Sequence, residues 1–541
     1  MEHQSTSGIE RKLIYDRNDV PDSWWELLRG GAGEAPFIRG AYPEMYRSKP
    51  WRIFQLSGFG SPEDMNARLK FLLKAGETGI IVKHDRMTDD HLYDVDHPEV
   101  AERREDVGLT GTVTVGLRDY QTIMDGIPIE SVYAKPGGGV PQSAPYTQSS
   151  YWSVALSRGL KLSQIAGTGQ SDFFLTYLGC PCKEQIPPEA ALRFNLDIIE
   201  FCNEHMPKWV PVSIAGYNGA DSGLNAPQEL AAVLSTAVEY LDGIQARGRL
   251  KPADFAHQIG GVNFRVSMDF FEEIAKLRVA RKMWHDLLLN RYGISDPKAS
   301  RMRIHVVTAG SAMTYQEPFN NIVRGTVMAL ASALGGTQSL GVSGYDEALS
   351  IPSDHAHLMS IRIQQVLQEE TGLTSVVDPL GGSFYIESLC NELEKRAWEV
   401  FDEIQGQGGF VATVQNGWLR GRASDEQTAQ ARRFEENEMK LVGVNAHLVD
   451  DPIMHVDGFE GRSGDVTWAQ AMERLAALRR ERHTTATMTA LRELEGVCRS
   501  DGNVVPAVMS AVQADASIGE IGQVFRDAFG VWNVSENQFG V

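Results

Sequence analysis

Between residues 80 and 382 short β-rich runs alternate with longer amphipathic or Ala/Leu-rich segments, and that alternation excludes most architectures at once. Neighbouring strands that run parallel need a crossover of a dozen or more residues, so the pattern reads as βα units around a parallel sheet. The runs are "IIVKHD" (80–85), "ESVYAK" (130–135), "SQIAGTGQ" (163–170), "PVSIAGYN" (211–218), "HQIGGVNF" (257–264), "RIHVVTAG" (303–310), "TQSLGVSG" (337–344) and "SVVDPLGG" (375–382). Several end in glycine or a small polar residue, and many precede helix-length sequence such as 269–292 and 318–334. Eight such runs fit a closed (β/α)8 barrel of the TIM type better than an open sheet. Chemistry in that fold gathers at the C-terminal strand ends, where Tyr217 and Asn218 finish the fourth run.

The flanks differ in character. Residues 1–78 read as an N-terminal extension and substrate-binding arm that includes the aromatic and basic "FIRGAYPEMYRSKPW" (37–51). Residues 79–400 form the expected barrel, and 401–541 a helical C-terminal region with charged stretches such as 423–441 and 469–496. The 71 acidic residues outnumber 51 basic ones, and the resulting charge of −20 opposes non-specific binding to nucleic acid or an anionic membrane. An anionic ligand must therefore meet a local basic patch. Five cysteines in 541 residues make no disulfide framework, and the first 30 residues carry no signal-peptide stretch. No apolar run approaches the roughly 20 residues that span a bilayer, so a cytoplasmic protein is expected.

Bland explanations cover several tempting motifs. "KHDRMTDDHLYDVDHPEV" (83–100) offers His84, Asp85, Asp89, Asp90 and His91, yet without a helical His-x-x-x-His or His-x-x-Glu-His spacing, and no metal is expected. Cys180-Pro181-Cys182 is too tight for a zinc knuckle. The glycine clusters at 137–139, 335–336 and 381–382 match neither dinucleotide nor P-loop spacing and read as turns or close backbone approaches. No G-x-S-x-G elbow is present. What remains is a gathering of polar residues at strand ends: Lys83, His84, Cys180, Tyr217, Asn218 and Glu347, with Leu56 contributed by the arm.

These residues sit within a long, ordered set of motifs: "RGAYPEMYRSKPW", "SGFG", "DVDHP", "DGIPIES", "AGTGQSD", "IAGYN", "LGGTQSLGVSGYDEALSIP", "EETG", "VVDPLGGSFYIE", "QNGWLRGRASD" and "LVGVN". The set resembles the adenosylcobalamin-dependent acyl-CoA mutases, which include methylmalonyl-CoA, isobutyryl-CoA and 2-hydroxyisobutyryl-CoA mutases. The resemblance implies a barrel threaded by the pantetheine arm, a radical 1,2-rearrangement, and a cobalamin domain marked by D-x-H-x-x-G. That motif does not occur in the chain, so a separate small cobalamin-binding subunit is the expected partner. A G-protein chaperone and pairing of two large subunits are further expectations of the same kind.

Residue by residue, the resemblance implies that Tyr217 and Asn218 are catalytic, with Asn218 standing where the family has a histidine that donates to the thioester carbonyl. An amide can donate without titrating. Thr168, Gln170, Tyr42, Met45 and Lys49 are implied substrate contacts, as are Leu56, Lys83, His84 and Cys180. Glu347, Ser343 and Gly310 are implied on the cofactor side. The arginine that pairs with the carboxylate of methylmalonyl-CoA aligns with Cys180 and its neighbouring tyrosine with Leu56, which points to an acyl-CoA lacking a free carboxylate. The aspartate of 2-hydroxyisobutyryl-CoA mutase aligns with Lys83. Gln258, Gly260, Val307 and Lys135 replace further expected contacts, while Arg47, Lys49, Arg52 and Lys135 offer positive charge for phosphate. A mutase for a non-CoA or carrier-bound acid, a non-catalytic barrel used for binding or assembly, and a metal-dependent hydrolase stay open as alternatives.

Overall fold

The computed structural model describes residues 4–137, 140–179, 184–450, 461 and 463–533. Among them lie twelve strands: β1 (Arg52–Ile53), β2 (Leu56–Ser57), β3 (Gly79–Val82), β4 (Tyr133–Lys135), β5 (Gly167–Thr168), β6 (Glu184–Gln185), β7 (Trp209–Val210), β8 (Ile214–Ala215), β9 (Gly261–Val266), β10 (Arg303–Thr308), β11 (Ser339–Gly341) and β12 (Trp532–Asn533). The chain divides into two compact units, one of residues 1–53, 214–242 and 251–459, the other of 54–213, 243–250 and 460–541. The first holds a parallel five-stranded sheet in the order β1-β11-β10-β9-β8. The second holds another in the order β2-β3-β4-β5-β7, together with a small antiparallel pair, β6 and β12. The α/β class with parallel strands is as expected and is compatible with a (β/α)8 pattern.

Three features of the strand placement differ from the sequence reading. The β structure opens at Arg52, ahead of residue 79, because "RIFQLS" mixes polar and apolar residues and shows no continuous apolar run. The final run, 375–382, is turn rather than strand, and Asp378 within it has φ 50°. Gln258 lies in the helix Pro252–Ile259, and Gly260 caps that helix, so β9 starts later than the run containing them.

Local sequence explains how helices follow strands. In the helix Pro62–Ala75 the Ser61 hydroxyl accepts from Asp64 N at 3.3 Å, the Asp64 carboxylate accepts from Ser61 N at 3.0 Å, and Gly76 at φ 110° ends the helix. The helix Phe270–Tyr292 ends likewise on Gly293 at φ 67°. No described helix is long and apolar enough to cross a membrane.

In the first unit the helix Phe270–Tyr292 carries buried charge that organises its neighbours. Arg278 pairs with Asp378 and, at 2.7 Å, with Glu387, while Arg39 reaches Asp378 at 3.0 Å. The Trp24 indole donates to Glu387 at 2.9 Å. Arg281, fully enclosed, donates to the carbonyls of Phe37, Ile38 and Gly335. "DPLGGS" thus anchors the arm through Asp378, and Met45 in the arm is buried. In the second unit Tyr93, Val95, Val100, Val107, Val113 and Val115 pack with Ala471 and Leu475 of the helix Gly464–Glu481. Asp94 of "DVDHP" accepts from Ser517 Oγ at 2.7 Å, Gly519 N at 2.9 Å and Arg479 at 2.8 Å.

Replacing Arg278 with Met should leave Asp378 and Glu387 buried without this cation and cost about 3–5 kcal/mol. A urea or thermal midpoint that stays at the wild-type value would contradict this role.

Candidate active site

Strand β8 passes directly into the short helix Gly216–Asp221, so Tyr217 and Asn218 occupy its first turn and are half-buried. The Tyr217 hydroxyl donates to Asp221 Oδ2 at 3.3 Å, one helical turn on, and Ser311 Oγ donates to Asp221 Oδ1 at 2.6 Å. Burial, and then the charges of Asp221 and Glu347, push the Tyr217 phenol well above its ordinary range. It therefore stays a hydrogen-bond donor throughout the physiological range.

Gly310 opens the turn after β10, and a Cβ placed on it would lie 3.6 Å from Glu347 Oε1 and 3.8 Å from the Tyr217 hydroxyl. Glycine here leaves a notch edged by carboxyl, phenol and backbone. Ser343 is tied to β10, donating its backbone N–H to Thr308 Oγ1 at 2.9 Å and its hydroxyl to Thr308 O at 2.8 Å. Glu347 is exposed at the edge of this notch. Desolvation by the surrounding protein, followed by the charges of Asp346 and Asp221, raises its carboxyl to about 7.

A buried clamp sets this end of the first unit. Lys276 reaches Glu229 at 2.6 Å, Glu273 at 2.5 Å and the Arg265 carbonyl at 2.6 Å, while Glu229 accepts from Arg265 N at 3.0 Å. The Arg265 side chain then donates to Ala220 O at 2.7 Å and stands 3.9 Å from Asp221. Sequence reasoning missed Asp221, Ser311, Arg265, Glu229 and Lys276. The available signals were the i, i+4 spacing of Tyr217 and Asp221 and the charges inside "EEIAKLR".

The other expected residues fall in the second unit or the arm. His84 is buried: its Nδ1 lies 3.1 Å from Asp89 Oδ1, and its Nε2 lies 2.9 Å from both the Pro136 carbonyl and the Tyr120 hydroxyl. A Cβ on Gly137 would come within 1.9 Å of the His84 ring, so the first of the 137–139 glycines is a close approach. Asp85 accepts from the backbone of Met87, Thr88 and Gly108, and burial raises its carboxyl to about 6. Lys83 is part-exposed, with Nζ 3.5 Å from Asp90 Oδ2.

Thr168 on β5 is buried, and Gln170 follows half-buried. A Cβ on Gly167 would meet the Ala134 carbonyl at 2.2 Å, which explains the spacing in "AGTGQ". Leu56 is on β2 itself, paired with Ile81, and is 49% exposed. In the arm Tyr42 lies under the Arg301 guanidinium at 4.7 Å, Met45 is buried, and Lys49 is exposed with its ammonium lowered by Arg52. Cys180 lies outside the described residues.

The sequence model of the family described as methylmalonyl-CoA mutase matches residues 4–531. The chain belongs to this family. The methylmalonyl-CoA mutase of Cereibacter sphaeroides is 34% identical over 530 residues, covering 97% of this chain and 72% of the relative. The 2-hydroxyisobutanoyl-CoA mutase large subunit of Aquincola tertiaricarbonis is 32% identical over 524 residues, 96% of this chain and 90% of the relative. The methylmalonyl-CoA mutase large subunit of Porphyromonas gingivalis is 33% identical over 527 residues, 96% and 71% respectively. Membership in the methylmalonyl-CoA mutase family makes the protein an isomerase of the intramolecular-transferase class, in a cobalamin-dependent family.

Since Asp221 contributes to raising the Glu347 carboxyl, Asp221→Asn should lower its titration midpoint below about 7. Isotope-edited infrared spectra of the carboxyl against pH check this. A midpoint that is unchanged, or higher, would contradict the arrangement.

Proposed function

We propose that this protein is the large, substrate-binding subunit of an adenosylcobalamin-dependent carbon-skeleton mutase that rearranges an acyl-CoA. The observation that carries the reading is the notch formed by Tyr217, Gly310 and Glu347 in a chain whose family match spans residues 4–531. A carboxyl, a protonated phenol and open backbone fit the ribose hydroxyls of an adenosyl group, with Glu347 as acceptor and Tyr217 as the packed ring above it. Adenosylcobalamin, when bound, supplies the organic radical that starts hydrogen abstraction from the substrate.

The residues of this chain bind, orient and exclude water. Tyr217 is held by Asp221, which is itself held by Ser311, so the phenol enters the reaction in one orientation. Asn218, next on the same turn, donates its amide to the thioester carbonyl in this reading and cannot act as a general acid. No D-x-H-x-x-G occurs in the 541 residues, and the two ring nitrogens of buried His84 are engaged within its own network. The cobalt-side histidine lies outside these residues, and in this proposal a separate cobalamin-binding subunit supplies it. The match to 90% of a relative named as a large subunit supports that division.

The test combines the purified chain with a cobalamin-binding small subunit and adenosylcobalamin. Adding a branched acyl-CoA should produce a paramagnetic signal and an isomerised thioester. Glu347→Gln should cut turnover by about tenfold or more, the worth of a hydrogen bond to a charged group. Cofactor binding without signal or product across a broad acyl-CoA panel would overturn the reading in favour of a non-CoA acid or a non-catalytic role.

A further inference from the structure

Lys135 is the last residue of β4 and is 8% exposed, yet no ion pair or hydrogen bond reaches its side chain among the described residues. A buried ammonium without an acceptor is costly, and a position needing only packing would take Met or Leu. Lys135 stands at the carboxyl end of a parallel strand, the end at which ligands gather in βα folds. Register gives its neighbours. Leu56 pairs with Ile81 and Ile81 with Lys135, while Ala134 pairs with Gly167 and Thr168 with Val210. Leu56, Ile81, Lys135, Thr168 and Val210 therefore form one row on a common face of the sheet.

This row holds a single amine among aliphatic side chains and one hydroxyl. Ile81, Thr168 and Val210 are buried like Lys135, whereas Leu56, 49% exposed, opens the end of the row to solvent. Lys83, two residues beyond Ile81, faces the same side, and its ammonium is offset by Asp90 at 3.5 Å. Burial and then the Lys83 charge bring the Lys135 ammonium down to about 7, so near neutral pH about half of it is free amine. With Lys135 uncharged and Lys83 balanced by Asp90, this face offers no net charge to an anion. Desolvation and a neighbouring cation are the two devices that make a lysine a nucleophile.

We propose that Lys135 captures small, uncharged aliphatic aldehydes or ketones as a Schiff base. The amine lone pair adds to the carbonyl carbon, an amine proton passes to the carbonyl oxygen, and the resulting carbinolamine expels water as the C=N bond closes. Amine and carbonyl enter neutral, and imine and water leave neutral, so the buried row holds no new charge and no oxidant or reductant is consumed. Leu56 and Ile81 supply the wall for the aliphatic tail. CoA thioesters take no part in this step, so it stands or falls separately from the acyl-CoA reading above.

Reductive trapping on the full-length protein tests the site. Limiting propanal with cyanoborohydride at about pH 7.5, followed by peptide mass mapping, converts each imine to a stable propyl-amine. Lys135 should be labelled about tenfold faster than the other lysines or better, since an ordinary lysine amine is almost wholly protonated at that pH. Glyoxylate, which adds a carboxylate to the aldehyde, should label Lys135 no faster than propanal does. Lys83→Met should slow the propanal reaction at Lys135 several-fold by relieving the cation that keeps the amine free. Lys135→Met should remove this label, leave labelling elsewhere unchanged and melt no lower than wild type, because it deletes a desolvated charge. The comparison among wild-type lysines needs no variant, so it holds whether or not a variant folds. Labelling of Lys135 at or below the rate of the other lysines would overturn the proposal. So would glyoxylate outpacing propanal at Lys135, which would make the face an anion receptor.

Discussion

Lys276 is a fully buried charge of the first unit on which the Tyr217 end depends. Fully enclosed on the helix Phe270–Tyr292, it donates to Glu229 and the Arg265 carbonyl and forms an ion pair with Glu273. Breaking a buried network of this kind leaves carboxylates that water cannot reach, so the network behaves as a unit. Its effect is positional. The backbone of Arg265 at the end of β9 is gripped at its N–H by Glu229 and at its carbonyl by Lys276, and its guanidinium holds the end of the helix that presents Tyr217. Orientation of the phenol is thus inherited from a salt bridge that touches no ligand.

In the second unit strand alternation sends neighbouring residues to opposite faces of the sheet. One face of β3 and the residues after it sends His84 into buried contacts with Pro136, Tyr120 and Asp89, while the other carries Lys83, Lys135 and Leu56. The acidic loop that follows is consumed structurally: Asp85 gathers backbone N–H groups, Asp89 receives Thr88 and Thr114 hydroxyls, and Asp94 ties down the C-terminal helices. A stretch rich in potential metal ligands is in this way a set of turns and staples.

The parallel α/β class was legible because the βα period survives in composition alone, and the strand-end position of Tyr217 followed from it. The first strand was not legible, since Arg52–Ser57 is interrupted by Phe54-Gln55 and lacks an apolar run. "SVVDPLGG" looked like a strand because a pair of valines precedes a glycine pair, but Asp378 is committed to Arg39 and Arg278 at a left-handed backbone position. Contacts between distant segments were also invisible. Nothing in one sequence links Ser311 to Asp221, ninety positions apart, or shows that Lys135 is buried without an ion pair among the described residues. The glycines were half legible: their clustering suggested close approaches, and Gly137 against the His84 ring is one.

If the Lys276 clamp governs the Tyr217 end, its removal should loosen a defined part of the first unit. Hydrogen–deuterium exchange on Lys276→Met measures this directly. The account predicts faster exchange in 216–221 and 261–266 with β3 and β4 of the second unit still protected. Unchanged protection of 216–221, or a uniform loss across both units, would contradict it.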